Sequence, residues 1–243
     1  MKQPSSKLPH CLVVGVGKGT GLACVRRFVA EGYTVSMIAR HAARLQSFAD
    51  DIENAHAYPA DIDDLEAYRA TLRHIVAERG APSVVVYNAS LATFAPYVEL
   101  DPDLLQRNFR VNTGGLLVTA QELAPLMSEA GPEPGNGGAI IVTGNTGAMR
   151  GRPRYIGFSP TKAAQRNLAE CLARELGPQG IHVAYVVIDA AIDMPMVRRR
   201  MTDKPDDYFA KPDDLASEIH RIAMQPKSTW SFLVELRPFG EVW

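Results

Sequence analysis

The sequence predicts a doubly wound α/β fold, a seven-stranded parallel sheet with helices on both faces. Three observations point there. Short apolar runs rich in Val and Ile alternate with amphipathic stretches of helix length along the 243 residues. The runs are mostly unbroken by polar residues, the pattern of strands covered on both faces. A glycine-rich turn, Gly15-Val16-Gly17-Lys18-Gly19-Thr20-Gly21, follows the first run and opens the first helical stretch. Such alternation implies a parallel sheet.

In chain order the expected strands are Cys11–Val16, Thr34–Ala39, Ala55–Pro59, Ser83–Asn88, Ala139–Thr143, His182–Ile188 and Phe232–Leu236. Helices are expected between them. Gly21–Glu31 stops at Gly32, a C-terminal cap. Ala42–Ile52 and Asp64–Arg79 carry apolar residues at three- and four-residue steps. Asp101 followed by Pro102 reads as a cap with a first-turn proline. Long helices are expected over Leu104–Glu129 and Thr161–Leu176, and a last one over Leu215–Ala223. Gly131–Gly138 reads as a surface loop. Asp193–Pro212, with Arg198, Arg199 and Arg200, reads as a mobile segment over the active site.

Composition narrows the functional classes. Apolar residues make up 46% and charged residues 22%, with a formal net charge of −1. This suits one globular domain over residues 1–243. The near-neutral charge gives no electrostatic reason to expect nucleic acid or an anionic membrane. No apolar run is long enough to span a bilayer, and Met1–His10 lacks the apolar core of a signal peptide. Cys11, Cys24 and Cys171 are odd in number and form no Cys-x-x-Cys pair, so reduced thiols and a cytoplasmic setting are expected. No metal site is expected.

The glycine turn carries the first chemistry. Its glycines let the backbone turn tightly and approach a pyrophosphate, and the helix start offers free N–H groups and a positive dipole end. Gly15, Lys18, Gly19, Thr20 and Gly21 are the expected phosphate-binding residues. The second strand ends at Ala39-Arg40. An acidic residue there would favour NAD, whereas arginine pairs with a 2′-phosphate. Arg40 and Lys18, with Arg44 nearby, predict NADP(H) in preference to NAD(H).

With these residues in place the chain resembles the short-chain dehydrogenase/reductase family. The spacing Gly15–Gly19–Gly21 matches that family's glycine loop, and further motifs follow in the family's order. Asp61-Ile62 looks like the pair that contacts the adenine ring. Asn88-Ala89-Ser90 resembles the Asn-Ala-Gly motif that steadies the sheet. Asn112 matches the family's helix asparagine, and Lys162 matches the lysine that holds the nicotinamide ribose. The likeness covers about residues 10–195. It implies a Rossmann-type fold, a nicotinamide coenzyme and a small-molecule substrate. It also implies a homo-dimer or homo-tetramer packed through Leu104–Glu129, Thr161–Leu176 and the C-terminal strand, with the aromatic tail Leu236–Trp243 suited to such burial.

The pattern breaks where the family does its proton chemistry. Its usual tyrosine falls at Phe158, four residues before Lys162, and its serine falls at Asn145, with Thr146 beside it. After the sixth strand, Asp189-Ala190 and Met194 replace the usual Pro-Gly and threonine, leaving Ile192 to offer backbone groups to the carboxamide. Tyr155 lies seven residues before Lys162, an arrangement similar to the Tyr-x6-Lys of the enoyl-thioester reductases. Ser159-Pro160 would start a helix and leave Tyr155 on the preceding loop. Asp189, at a strand end, is a second candidate proton donor.

The reading that follows is an atypical NADP(H)-dependent oxidoreductase. Hydride passes to or from a C=O or polarised C=C group, Tyr155 supplies the proton, Lys162 holds the ribose, and Asn145 and Asn112 orient the carbonyl and a water chain. A non-catalytic NADP(H)-binding protein, a sensor or silent subunit, is the alternative. Hydride transfer to an iminium, which needs no protein acid, is a third.

Overall fold

The computed structural model describes residues 8–130 and 138–240. Met1–Lys7, most of the expected Gly131–Gly138 loop and the final Glu241-Val242-Trp243 of the tail lie outside the described residues.

The first half alternates β1 (His10–Val14), α1 (Thr20–Ala30), β2 (Thr34–Ala39), α2 (Ala42–Asp51), β3 (Ala55–Pro59), α3 (Leu65–Arg79) and β4 (Val84–Tyr87). Next come α4 (Pro102–Phe109), a π turn (Arg110–Gly114), α5 (Gly115–Ala130), β5 (Gly138–Asn145), α6 (Ser159–Leu176) and β6 (Ile181–Ile188). The chain closes with β7 (Ala191–Ile192), α7 (Pro195–Arg198), β8 (Phe209–Ala210), α8 (Pro212–Ala223) and β9 (Leu233–Leu236). Seven strands form one sheet in the order β3-β2-β1-β4-β5-β6-β9, and every pair is parallel. β7 and β8 make a separate two-stranded ribbon.

Each expected strand is present, with ends shifted by up to two residues. The local signals work as their chemistry requires. The Asp64 carboxylate caps α3 by accepting from Ala67 N at 3.0 Å, and Asp101 caps α4 by accepting from Asp103 N at 2.9 Å. Gly32 takes φ +83° at the end of α1.

One expectation needs correction. The single helix read over Leu104–Glu129 is two helices joined by the π turn. Two carbonyls of that turn are claimed from outside. Val111 O accepts from the Tyr87 hydroxyl at 2.5 Å, and Asn112 O accepts from the Gln165 amide at 2.6 Å. Donors reaching in from the sheet and from α6 compete with the regular helical ladder.

The sheet separates two cores. On one face Tyr68, Leu72, Leu116, Leu123, Met127 and Leu172 of α3, α5 and α6 cover Leu12, Val85 and Ile140. On the other, Val25, Phe28, Leu45, Ile219 and Ile222 of α1, α2 and α8 cover Cys11, Val86 and Ile141. The sheet is therefore buried on both sides, which accounts for the continuous apolar runs in its strands. The chain winds outward from β1 to β3, then returns to place β4 on β1's other flank. That reversal sets the switch point at the carboxyl ends of β1 and β4.

Candidate functional site

The switch point is where the residues expected to hold the adenosine end of a coenzyme meet. Gly15 leaves β1 with φ +92°, and its N–H donates to Ile38 O at 2.8 Å. A β-carbon there would overlap the Ala89 backbone, so the loop lies directly on the chain leaving β4. Asn88 fixes the junction. Its amide nitrogen donates to Gly15 O at 2.8 Å, and its amide oxygen accepts from the Thr143 hydroxyl at 3.0 Å. One side chain thus ties β1, β4 and β5 together.

A cleft of about 280 Å³ opens beside this junction, lined by Gly15, Gly17, Arg40, Arg44, Asp61 and Asn88 among others. Ile62 and Val111 close its apolar side. Arg40 and Arg44 are exposed, and neither forms an ion pair among the described residues. Asp61 accepts from Asp63 N at 3.1 Å, which shapes the turn after β3.

The glycine loop has room for a phosphate group. A β-carbon on Gly17 would meet nothing within 4 Å. The Thr20 hydroxyl, in the first turn of α1, is buried without a hydrogen-bond partner. An unsatisfied donor at a helix N-terminus suits an anionic oxygen. These residues fit the pyrophosphate of a dinucleotide. Lys18 is exposed at the lip of the loop.

The other half of the site is built on β5, α6 and the π turn. Lys162 is only 2% exposed. Its amine donates to Thr143 O at 3.0 Å and to Gln165 Oε1 at 2.5 Å. Burial, with no compensating carboxylate, pulls its pKa down to about 7. Asn112 is clipped into the scaffold. Its side chain accepts from Leu91 N at 2.8 Å and donates to Leu91 O and the Thr161 hydroxyl, each at 2.8 Å. Asn145 accepts from Gly147 N at 2.9 Å through its amide oxygen, which leaves the amide nitrogen as a donor.

Phe158 is buried one turn before Lys162. α6 starts at Ser159, so Tyr155 lies on the preceding loop, as the Ser-Pro start predicts. Tyr155 is half-buried and packs edge-on against Phe94, with ring centroids 4.8 Å apart. Phe94 also meets Phe158 at 5.5 Å. These three rings form an aromatic wall, and Phe94 is 52% exposed on it. Among the described residues no hydrogen bond joins Tyr155 to Lys162. The fold brings Asn112, Lys162 and Thr143 into one network and sets Tyr155 beside Phe158.

Asp189 is committed elsewhere. It pairs with Arg237 at 2.7 Å, and its backbone N–H donates to Leu236 O. The chain after it runs through Ile192 in β7 to Met194, whose sulfur rests against Gly19. Arg198, its side chain half-buried, is held by its neighbours. It clasps Asp193 with bonds of 2.7 and 2.9 Å, also pairs with Asp206, and lies 4.2 Å over the Phe209 ring. Sequence reasoning did not find Gln165. A glutamine three residues after a lysine carries no sequence signal that separates it from a solvated helix residue.

Comparison with known proteins agrees with this geometry. A family model described as short chain dehydrogenase matches residues 9–205. L-rhamnose 1-dehydrogenase (NAD(P)(+)) of Azotobacter vinelandii is 30% identical over 227 residues, covering 86% of this chain and 86% of that protein. Oxidoreductase asL5 of Sarocladium schorii is 28% identical, covering 84% and 80%. The crystal structure of a short-chain dehydrogenase from Rhodopseudomonas palustris superposes with a TM-score of 0.79 at 27% identity, covering 95% of this chain and 99% of that one. Among the described residues no helix is long and apolar enough to cross a membrane, and no cluster of metal-ligating side chains occurs. The chain belongs to the short-chain dehydrogenase/reductase family of nucleotide-binding oxidoreductases.

Proposed function

We propose that the protein is an atypical NADP(H)-dependent oxidoreductase acting on a C=O or polarised C=C group of a small substrate. The observation that carries the coenzyme preference is the switch-point cleft, where Arg40 and Arg44 line the wall without carboxylate partners. A guanidinium in that position meets a 2′-phosphate, whereas a ribose hydroxyl would call for an acid. Lys18 adds charge at the lip. The amides of the glycine loop and the Thr20 hydroxyl take the pyrophosphate, and Asp61 and Ile62 border the adenine.

A bound nicotinamide coenzyme supplies or accepts the hydride. The remaining tasks fall to side chains. Lys162 holds the nicotinamide-side ribose, and the Ile192 backbone meets the carboxamide. The free Asn145 amide nitrogen donates to the substrate oxygen, as a serine hydroxyl would. The Phe158 ring can neither give nor take a proton, so the Tyr155 phenol beside it delivers the proton from the loop. Asn112 sets the scaffold on which Lys162 sits. The segment 193–212 closes the substrate side, and α5 and α6 pack against a second copy in a homo-dimer or homo-tetramer.

Calorimetry with NADPH and NADH, followed by a panel of carbonyl and enoyl substrates, tests this reading. NADPH binds more tightly than NADH. Tyr155→Phe lowers turnover by about 10²–10⁴ while leaving NADPH affinity within about two-fold. Turnover unchanged in that variant removes Tyr155 from the mechanism. Tight NADPH binding with no turnover on any substrate identifies a non-catalytic binder instead.

A further inference from the structure

We propose that Gln165 is a positioning residue for the reaction centre: it grips the Lys162 amine with its amide oxygen while anchoring its amide nitrogen on the Asn112 carbonyl. The proposal rests on the reading that Lys162 serves a bound coenzyme.

Gln165 is fully buried, three residues after Lys162 and so on the same face of α6. Its Nε2 donates to Asn112 O at 2.6 Å, and its Oε1 accepts from Lys162 Nζ at 2.5 Å. A leucine would fill this space without desolvating an amide. A carboxamide presents a donor at one end for a carbonyl and an acceptor at the other for an amine. A carboxylate would offer the acceptor alone.

The geometry limits what the lysine can do. An ammonium has three donors. Thr143 O takes one and Gln165 Oε1 takes another. A single N–H remains for a ribose hydroxyl, and the two clamped bonds fix its direction. Asn112 is itself locked to Leu91 and Thr161, so the clamp is referred to the rigid π turn.

The groups facing the amine carry no compensating charge. β5 offers the Thr143 carbonyl. β6 offers the Tyr185 phenol, 3.4 Å from both Gln165 Oε1 and Lys162 O and held neutral by burial. The π turn contributes only the Asn112 carbonyl, through Gln165. Arg166, next on α6, is occupied with Glu170 at 3.3 Å. A neutral clamp leaves the amine free to ionise according to what binds beside it, in keeping with its pKa being drawn down to about 7.

The test is a ¹³C NMR titration of protein labelled at lysine Cε. The chain has seven lysines, and Lys162→Arg assigns the buried one. Gln165→Glu, nearly isosteric, should raise the Lys162 midpoint by more than about one pH unit, because it sets a carboxylate against the amine. Gln165→Leu should lower the midpoint and weaken NADPH binding about ten-fold, with 2′,5′-ADP affinity unchanged. A Lys162 midpoint that does not move in Gln165→Glu overturns the clamp. Loss of 2′,5′-ADP and NADPH affinity together in Gln165→Leu also overturns it, since that marks a general structural role. If the midpoint moves but wild-type protein binds no NADPH, the clamp stands and the coenzyme reading fails.

Discussion

The Met194 sulfur lies 2.5 Å from the point a β-carbon on Gly19 would occupy, and the three nearest atoms to that point all belong to the Met194 side chain. Gly15 differs. Its φ is +92°, and the atoms a β-carbon would meet belong to the Asn88-Ala89 backbone. A thioether can swing away and a strand end cannot. Gly19→Ala should therefore cost about 1 kcal/mol or less, and Met194→Ala in the same chain should recover most of that loss. Gly15→Ala should cost about 2–4 kcal/mol with no such rescue. Urea denaturation of the three variants checks the contrast. Equal losses for the two glycines would contradict it.

Arg40 provides a second test. On the proposed NADP(H) reading, Arg40→Ala would remove one charge-assisted bond to a 2′-phosphate, worth about 1.5–3 kcal/mol. NADPH affinity should fall about 10- to 100-fold, and NADH affinity should change little. Arg40→Asp should reverse the preference. Calorimetric titration with both coenzymes reads the outcome, and a parallel loss for both would assign Arg40 a structural task.

The pH dependence of stability follows from three buried groups. Lys162 is depressed to about 7 by burial, so between about pH 7 and its ordinary value of 10.5 the unfolded chain binds the extra proton. Stability rises with pH across that window, at up to about 1.4 kcal/mol per unit. The Cys11 thiol is raised by burial and by Cys24, and Cys24 is pushed up to about 12 by burial. Their unfolded forms ionise from about pH 8.5 upward and pull stability down. Denaturation midpoints should climb from pH 7, peak between about 8.5 and 9, and decline beyond. Lys162→Met should flatten the climb and keep the decline.

The Asp189–Arg237 pair couples the end of β6 to the chain leaving β9. Asp189→Asn should lower stability by about 1–3 kcal/mol, less than a fully isolated pair would lose, because Glu235 also reaches Arg237. NADPH affinity should stay within about two-fold. A selective loss of turnover with stability unchanged would return Asp189 to the proton chemistry.

Much of this architecture was legible because the signals are local. Thr34–Ala39 and Ala55–Pro59 match the expected strands residue for residue. Asp101-Pro102 and Ser159-Pro160 mark helix starts through backbone chemistry confined to a few residues. That Gly15, Gly17 and Arg40 would share one cleft follows from two adjacent strand ends, which the apolar runs also mark. What stayed hidden depends on contacts between distant segments. The π turn arises because Tyr87 and Gln165, from β4 and α6, bind its carbonyls. Arg198 reads as one of three adjacent arginines until the fold sets Asp193, Asp206 and Phe209 around it. Nothing in the Asn145 neighbourhood announces that Gly147 N–H takes the amide oxygen and leaves the nitrogen free.

The π turn stores one residue more than an α-helical turn would hold. Removing one residue between Arg110 and Gly114 would restore ordinary α-helical pitch and leave α5 on nearly its present face, with Leu116, Leu123 and Met127 still toward the sheet. The loss would fall on the turn itself: Val111 O and Asn112 O would return to the helical ladder, and the Tyr87 hydroxyl and the Gln165 amide would give up their acceptors. The surplus peptide unit is thus spent on two outward-facing carbonyls rather than on the orientation of the helix that follows.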